Sequence, residues 1–324
     1  MKALVTGGGG YLGGALVRAL LQRGAAVVTL QRGTYPWLER AGARVHHGDI
    51  VHPDTVRAAS KGCDIIFHVA GKTGVWGDGA EYYRVNVAGT EAVINACLEN
   101  CIPRLVYTSS PSVIFSGVDA NGVDESVPYP RHYYNDYQYS KAIAERKILA
   151  ANSASLATVA LRPHLIWGPD DPHLIARLVQ RARSGTLRLS NRDNLVDSTY
   201  IDNAVSAHLL AADCLAPGSA CAGRVYFISN GEPVALRTLI NRILAALKLA
   251  PVTRTISPRS AYLAGIIFEA WYALLGIKRE PLMTRFVARQ LSCSHWYDIS
   301  AARRDLGYEP VVSIDAGLAR LGSP

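Results

Sequence analysis

Short apolar runs alternate with helical patterns through the first 110 residues. Residues 3–6, 26–30, 44–46, 64–69 and 104–108 are compact apolar stretches and read as strands. Residues 11–22, 35–41, 54–60 and 81–100 show helical spacing of their apolar side chains and read as helices. Alternation of this kind, with short connections, predicts a doubly wound α/β fold: a parallel sheet covered by helices on both faces. A second long helix is expected over 136–151 and another buried strand over 158–162.

The pattern changes at Pro163. Pro and Gly become frequent (Pro163, Gly168, Pro169, Pro172), helical patterns dominate, and short strands return near 194–198 and 224–228. The expected organisation is a sheet domain over 1–165, rejoined by segments near 194–230. A smaller, partly interleaved C-terminal substrate lobe then comprises 166–193 and 231–324. One run in that lobe, 261–277, holds a single charged residue, Glu269. It is slightly short for a membrane-spanning helix, and its charge sits mid-run. A helix buried in the lobe is expected, ahead of a lid or an interfacial surface for a greasy substrate.

The turn after the first strand reads Thr6-Gly7-Gly8-Gly9-Gly10-Tyr11-Leu12-Gly13, with Gly7, Gly10 and Gly13 spaced as G-x-x-G-x-x-G. Between a strand and a helix, such glycines let the backbone approach a pyrophosphate, which the helix N-terminus then faces. Gly13 also lets that helix pack closely on the sheet. A Rossmann-type dinucleotide site follows, with Tyr11 and Leu12 at its helix start. The second strand ends in Thr29-Leu30-Gln31-Arg32-Gly33, without a carboxylate to hold ribose hydroxyls. Arg32 stands where a guanidinium could grip a 2′-phosphate, so NADP(H) is expected in preference to NAD(H). After the third strand, the Asp49 carboxylate of Gly48-Asp49-Ile50 could accept from an adenine amino group; a solvated loop Asp is the alternative.

Tyr137-Gln138-Tyr139-Ser140-Lys141 is a Y-x-x-x-K run on a predicted helix, so Tyr137 and Lys141 share one face. A phenol with a pKa of about 10 is a poor acid–base group at neutral pH, and a neighbouring ammonium lowers that pKa. Leu105-Val106-Tyr107-Thr108-Ser109-Ser110 brings hydroxyls to the carboxyl end of a strand, where open α/β sheets bind ligands. They could hold a substrate oxygen beside Tyr137, or simply cap the strand end.

Composition narrows the classes. The 324 residues are 49% hydrophobic and 19% charged, which suits a packed globular protein. The net charge of +8 is spread along the chain without a basic tail or block, so no nucleic-acid partner is expected. Six cysteines form no C-x-x-C pair and no zinc spacing, so no metal is expected; Cys97 and Cys101, one helical turn apart, read as buried thiols. A reducing cytoplasm is the expected compartment. The N-terminus runs into the glycine cluster, which no secretory signal does.

Together these residues resemble the extended branch of the short-chain dehydrogenase/reductase superfamily. The matching pieces run in order: Gly7 to Gly13, Asp49, His68-Val69-Ala70-Gly71, Asn86-Val87-Ala88-Gly89-Thr90, Ser109-Ser110, Tyr137 with Lys141, and Leu161-Arg162-Pro163. The resemblance implies a catalytic set of Ser110, Tyr137 and Lys141. Ser110 is chosen over Ser109 for its place before Pro111-Ser112-Val113. It also implies cofactor contacts from Val69, Ala70, Gly71, Pro163 and Leu165, with Ile50 beside Asp49 and Lys141 on the nicotinamide ribose.

The run 107–113 is similar to the 3β-hydroxysteroid dehydrogenase-like group. Gly74-Val75-Trp76-Gly77 and the stretches 161–169, 194–203 and 226–233 are similar to bacterial reductases of 2-alkyl-3-oxoalkanoates in olefin biosynthesis. That likeness implies NADPH-dependent reduction of a long-chain β-keto acid, within reach of a pathway-enzyme complex; a homo-oligomer is also expected, and the 261–277 run leaves peripheral membrane contact open. Substrate contacts would come from Ser110 and Tyr137, with Trp76 and Trp167 as candidate walls, although core packing is the plainer reading of both tryptophans. Arg177, Arg181, Arg183, Arg188 and Arg192 read as a solvated helix face ahead of a carboxylate clamp; His164 and His173 flank the same loop. Rival readings are a hydroxysteroid or sterol dehydrogenase, a nucleotide-sugar epimerase or dehydratase, and a non-catalytic dinucleotide-sensing regulator.

Overall fold

The computed structural model describes residues 1–322. Seven strands build one sheet: β1 (Lys2–Thr6), β2 (Ala26–Gln31), β3 (Arg44–His47), β4 (Ile65–His68), β5 (Arg104–Thr108), β6 (Ala157–Pro163) and β7 (Arg224–Ile228). Their order is β7-β6-β5-β4-β1-β2-β3, and every neighbouring pair is parallel. Successive side chains of a strand point to opposite faces. Accordingly Ala3 and Val5 enter one apolar core with Leu16, Leu20 and Phe227, while Leu4 enters the other with Ile66, Leu105 and Ala96. β6 is buried along its whole length, as a parallel strand covered on both faces must be. The strand order reverses between β1 and β4, which opens a crevice at the carboxyl ends of the strands.

The helix expected over 81–100 is interrupted. Gly79–Tyr82 and Gly89–Glu99 are α-helical, and Tyr83–Ala88 between them widens into a π-helical turn. Asn86 in that turn accepts from Lys72 N at 2.7 Å and donates to Lys72 O and Ser140 Oγ, each at 3.0 Å. This side chain fastens the loop after β4 to the Asp136–Ala150 helix. A second fastening is buried: Glu145 of that helix takes Arg162 of β6 in two hydrogen bonds of 2.6 and 3.0 Å, and Tyr129 donates to the same carboxylate.

Four short strands form a smaller sheet in the order Val234–Ala235, Leu195–Val196, His295–Tyr297, Ala120–Val123. The returning segment near 194–198 therefore joins this sheet, whereas 224–228 completes the main one as β7. Of the paired thiols expected on one helix, Cys97 is buried but Cys101 is exposed beyond the helix end.

The run at 261–277 corrects the expectation of a buried helix. It lies in the Pro258–Leu274 helix, of which only Ala261 and Gly265 are buried; Leu263, Ile267 and Trp271 are each more than half exposed and Leu274 is 83% exposed. The helix meets the lobe along its small-residue edge, so its apolar bulk turns outward. Among the described residues, no helix is long and apolar enough to cross a membrane.

Candidate functional site

A cavity of about 660 Å³ lies along the carboxyl ends of the strands. Its floor is the glycine turn. Gly7 has φ +72°, and a Cβ there would lie 3.0 Å from the Ala70 backbone. Gly10 N donates to Gly7 O at 2.9 Å, and a Cβ on Gly13 would stand 2.2 Å from that same oxygen. Only glycine permits this packing. The Tyr11–Gln22 helix begins with no capping side chain and no acidic residue in its first turn, so its N-terminus faces the cavity with unpaired N–H groups. These features fit a dinucleotide pyrophosphate.

Of the expected cofactor residues, Gly7, Gly10, Tyr11, Leu12, Gly13, Arg32, Asp49, Ile50, Val69, Ala70, Gly71 and Pro163 line this cavity. Leu165 does not; it lines a second cavity. Arg32 sits exposed at the rim, 3.9 Å from Asp49, which Arg84 also approaches at 3.5 Å. Beside it, both amide atoms of Gln31 are buried without a partner while the residue lines the cavity. That orphaned amide could hydrogen-bond a ribose hydroxyl of a dinucleotide held in this cavity. A glutamine at a strand end carries no sequence signal of this kind, since its lack of a partner shows only in the fold. Tyr35 lies against Gly9 and Gly33 and lines the same rim.

At the other end of the cavity stand Ser109, Ser110 and Tyr137. Asn135 caps the Asp136–Ala150 helix, accepting from Gln138 N at 2.9 Å. Gln138 then donates to Ser112 O and Phe115 O at 2.8 and 3.1 Å and accepts from Tyr134 N. It thereby pins the 3-10 turn Pro111–Ile114 to the helix that carries Tyr137. Ser110 Oγ caps that turn, accepting from Ser112 N. Gln138 sits inside the Y-x-x-x-K run, but its role depends on a turn 23 to 26 residues away, which spacing does not reveal.

Burial raises the Tyr137 phenol above its ordinary pKa, and the hydroxyls of Ser110 and Ser112 act in the opposite direction. Ser110 Oγ is engaged by Ser112 N, whereas Ser109 Oγ is buried without a partner. Lys141 is buried beneath the cavity rather than on its wall. Its Nζ donates to Thr108 O at 2.6 Å and lies 4.2 Å over the Tyr107 ring. Burial lowers the Lys141 pKa to about 7, against the opposing pull of Glu145. The expectation that an ammonium depresses the phenol is thus reversed in this arrangement: desolvation prevails on both groups.

His68 is fixed between Thr6 Oγ1 and Thr90 Oγ1, and burial lowers its pKa to about 3, so it is a neutral spacer. Trp167 is wholly buried in the core, donating to Ser198 Oγ and packed edge-on against Tyr200; it is no pocket wall. Trp76 donates to Ile277 O at 3.0 Å and meets Tyr272 edge-on, so it joins the loop after β4 to the 258–274 helix. His173 lines the first cavity. His164 is buried between Asp197 Oδ1 at 2.5 Å and His295 Nδ1 at 3.1 Å.

The second cavity, about 160 Å³, lies in the C-terminal lobe. Leu165, Leu174, Leu178, Leu187, Leu189, Leu236, Leu239, Ile240 and Ile243 line it, with Arg177, Arg181 and Arg188 also on its wall. Arg177 pairs with Glu280 and Arg181 donates to Leu282 O, both through exposed hydrogen bonds. Ile166 and His173 line the first cavity while their neighbours Leu165 and Leu174 line the second, so the two share that wall. Among the described residues, no cluster of His, Cys, Asp or Glu is placed to hold a metal ion.

Residues 4–257 match the 3-beta hydroxysteroid dehydrogenase/isomerase family. The chain is 52% identical to a 2-alkyl-3-oxoalkanoate reductase of Stenotrophomonas maltophilia, over 99% of this chain and 98% of that one. It is 51% identical to a protein of the same description from Shewanella oneidensis, over 98% of this chain and 85% of that one. Among solved structures, MoeE5 in complex with UDP-glucose and NAD is similar at a TM-score of 0.75 and 26% identity, over 99% of this chain and 97% of that one.

Proposed function

The chain belongs to the 3-beta hydroxysteroid dehydrogenase/isomerase family, and we propose that this NAD(P)-dependent oxidoreductase reduces a 2-alkyl-3-oxoalkanoate to the 2-alkyl-3-hydroxyalkanoate. The proposed setting is olefin biosynthesis, and the proposed cofactor NADPH. The observation that carries this reading is the leucine-lined cavity that shares a wall with the cavity lined by Tyr137 and Ser110. A long alkyl chain fits a lining made mostly of leucine and isoleucine, with the arginines on the same wall available to its carboxylate.

The glycine turn and the start of the Tyr11–Gln22 helix would hold the pyrophosphate. Gln31 and Arg32 would meet the adenosine ribose, and the exposed Arg32 is free to exchange its 3.9 Å approach to Asp49 for a 2′-phosphate. When bound, the nicotinamide supplies the hydride. Tyr137 donates its phenolic proton to the substrate oxygen as charge develops there, and Ser110 donates a hydrogen bond to that same oxygen. The raised pKa keeps the phenol protonated at neutral pH, which suits reduction. Lys141, one turn along on the same helix, would bind the nicotinamide ribose.

The test is the dependence of kcat/KM on alkyl chain length, in the wild type and in Leu239→Trp, which fills the second cavity. The wild type should prefer long chains and the variant shorter ones, with dinucleotide binding unchanged. A profile that ignores chain length, or identical profiles for both proteins, contradicts the reading. Faster turnover of a steroid would favour the hydroxysteroid alternative, which the same apolar lining would accept.

A further inference from the structure

Exposed large apolar side chains concentrate on one element. Leu263, Ile266, Ile267, Trp271 and Leu274 of the Pro258–Leu274 helix are 43 to 83% exposed. At about 100° per residue they fall within an arc of about 140°, and Arg259 falls in the same arc. The helix is firmly seated from behind. Gly265 sits so close to the next helix that a Cβ would lie 2.6 Å from Arg285 N, and Glu269 accepts from both Arg285 N and Arg285 Nε. The outward stripe is therefore held on a fixed scaffold, not on a frayed segment.

Its charge has one sign. Arg259 precedes the stripe, and Lys278 and Arg279 follow it; all three are exposed, and none has a hydrogen-bond or ion-pair partner among the described residues. The two neighbouring acids are engaged, Glu269 with Arg285 and Glu280 with Arg177. An apolar face with an amphipathic tryptophan and free cations at both ends complements an anionic lipid surface.

We propose that this face docks the protein on an anionic bilayer, with the helix lying in the plane of the interface. The helix would span about 25 Å of that plane. Its far end is joined to the catalytic region: Ile277 O accepts from Trp76, and Thr73 of the same loop lines the first cavity. If the proposed reaction holds, the docked end lies beside the route by which a long-chain substrate leaves the lipid; the docking itself does not depend on that reaction.

Co-sedimentation tests this with vesicles of phosphatidylcholine plus phosphatidylglycerol, beside vesicles of phosphatidylcholine alone. The full chain should bind the anionic vesicles preferentially, and salt should weaken binding. Trp271→Asp, and separately Lys278→Glu with Arg279→Glu, should each lower binding at least about ten-fold, given roughly 1 kcal/mol per cation near the surface. Thermal midpoint and dinucleotide binding report that the variants are folded. Absence of binding to anionic vesicles overturns the proposal. So does a Trp271→Asp variant that retains vesicle binding but loses self-association, which would make this face a contact between copies of the chain.

Discussion

Replacing Lys141 by Met should change how stability depends on pH. The unfolded lysine titrates at 10.5, and burial brings the folded one to about 7. Between these values the unfolded chain holds more protons than the folded one, so wild-type stability rises with pH through this window. The contribution is fully recovered above the unfolded pKa and is lost as pH falls through the folded one. One pKa unit corresponds to about 1.4 kcal/mol, so between pH 7 and pH 9 the wild type should gain about 2 kcal/mol on Lys141→Met. Other groups titrate in both proteins and cancel in the difference. Urea unfolding of both proteins at pH 7, 8 and 9 measures it. Parallel curves would refute the reasoning, because they would mean that the Lys141 ammonium is not desolvated in the folded protein.

Tyr137→Phe should lower turnover about a thousand-fold while leaving NADPH affinity nearly unchanged, as titration of cofactor fluorescence would show. Arg32→Glu should raise the KM for NADPH about ten-fold or more and leave NADH little affected, since only the former carries the 2′-phosphate. Glu145→Ala leaves Arg162 buried and unpaired in place of its two hydrogen bonds, and should cost about 3–5 kcal/mol in urea unfolding.

Much of the fold was legible because parallel strands and amphipathic helices carry local patterns. The apolar runs at 3–6, 26–30 and 104–108 lie in β1, β2 and β5, and the helix beginning at Tyr11 follows the glycine turn as its spacing required. The smaller sheet was not legible, because it pairs Val196 with His295 and His295 with Ala120, residues far apart in the chain with no local signal of their partnership. The π-helical turn at 83–88 carries Asn86 to its bonds with Lys72 and Ser140, and helical periodicity cannot show that. At 261–277 hydrophobicity alone predicts burial. Composition says that a segment is apolar but not what covers it, and here the lobe covers only the edge carrying Ala261 and Gly265. At the candidate site, spacing identified Tyr137 and Lys141. The unpartnered amide of Gln31 and the tie made by Gln138 became visible only in three dimensions.

The central claim is best tested by following absorbance of the nicotinamide band with purified protein and NADPH or NADH. The substrates would be a synthetic 2-alkyl-3-ketoacid, a 3-ketosteroid and a UDP-sugar. Rapid NADPH oxidation with the ketoacid, slower with NADH, and little with the other two is the predicted result. No oxidation with the ketoacid, or faster turnover of the steroid or the UDP-sugar, would contradict it.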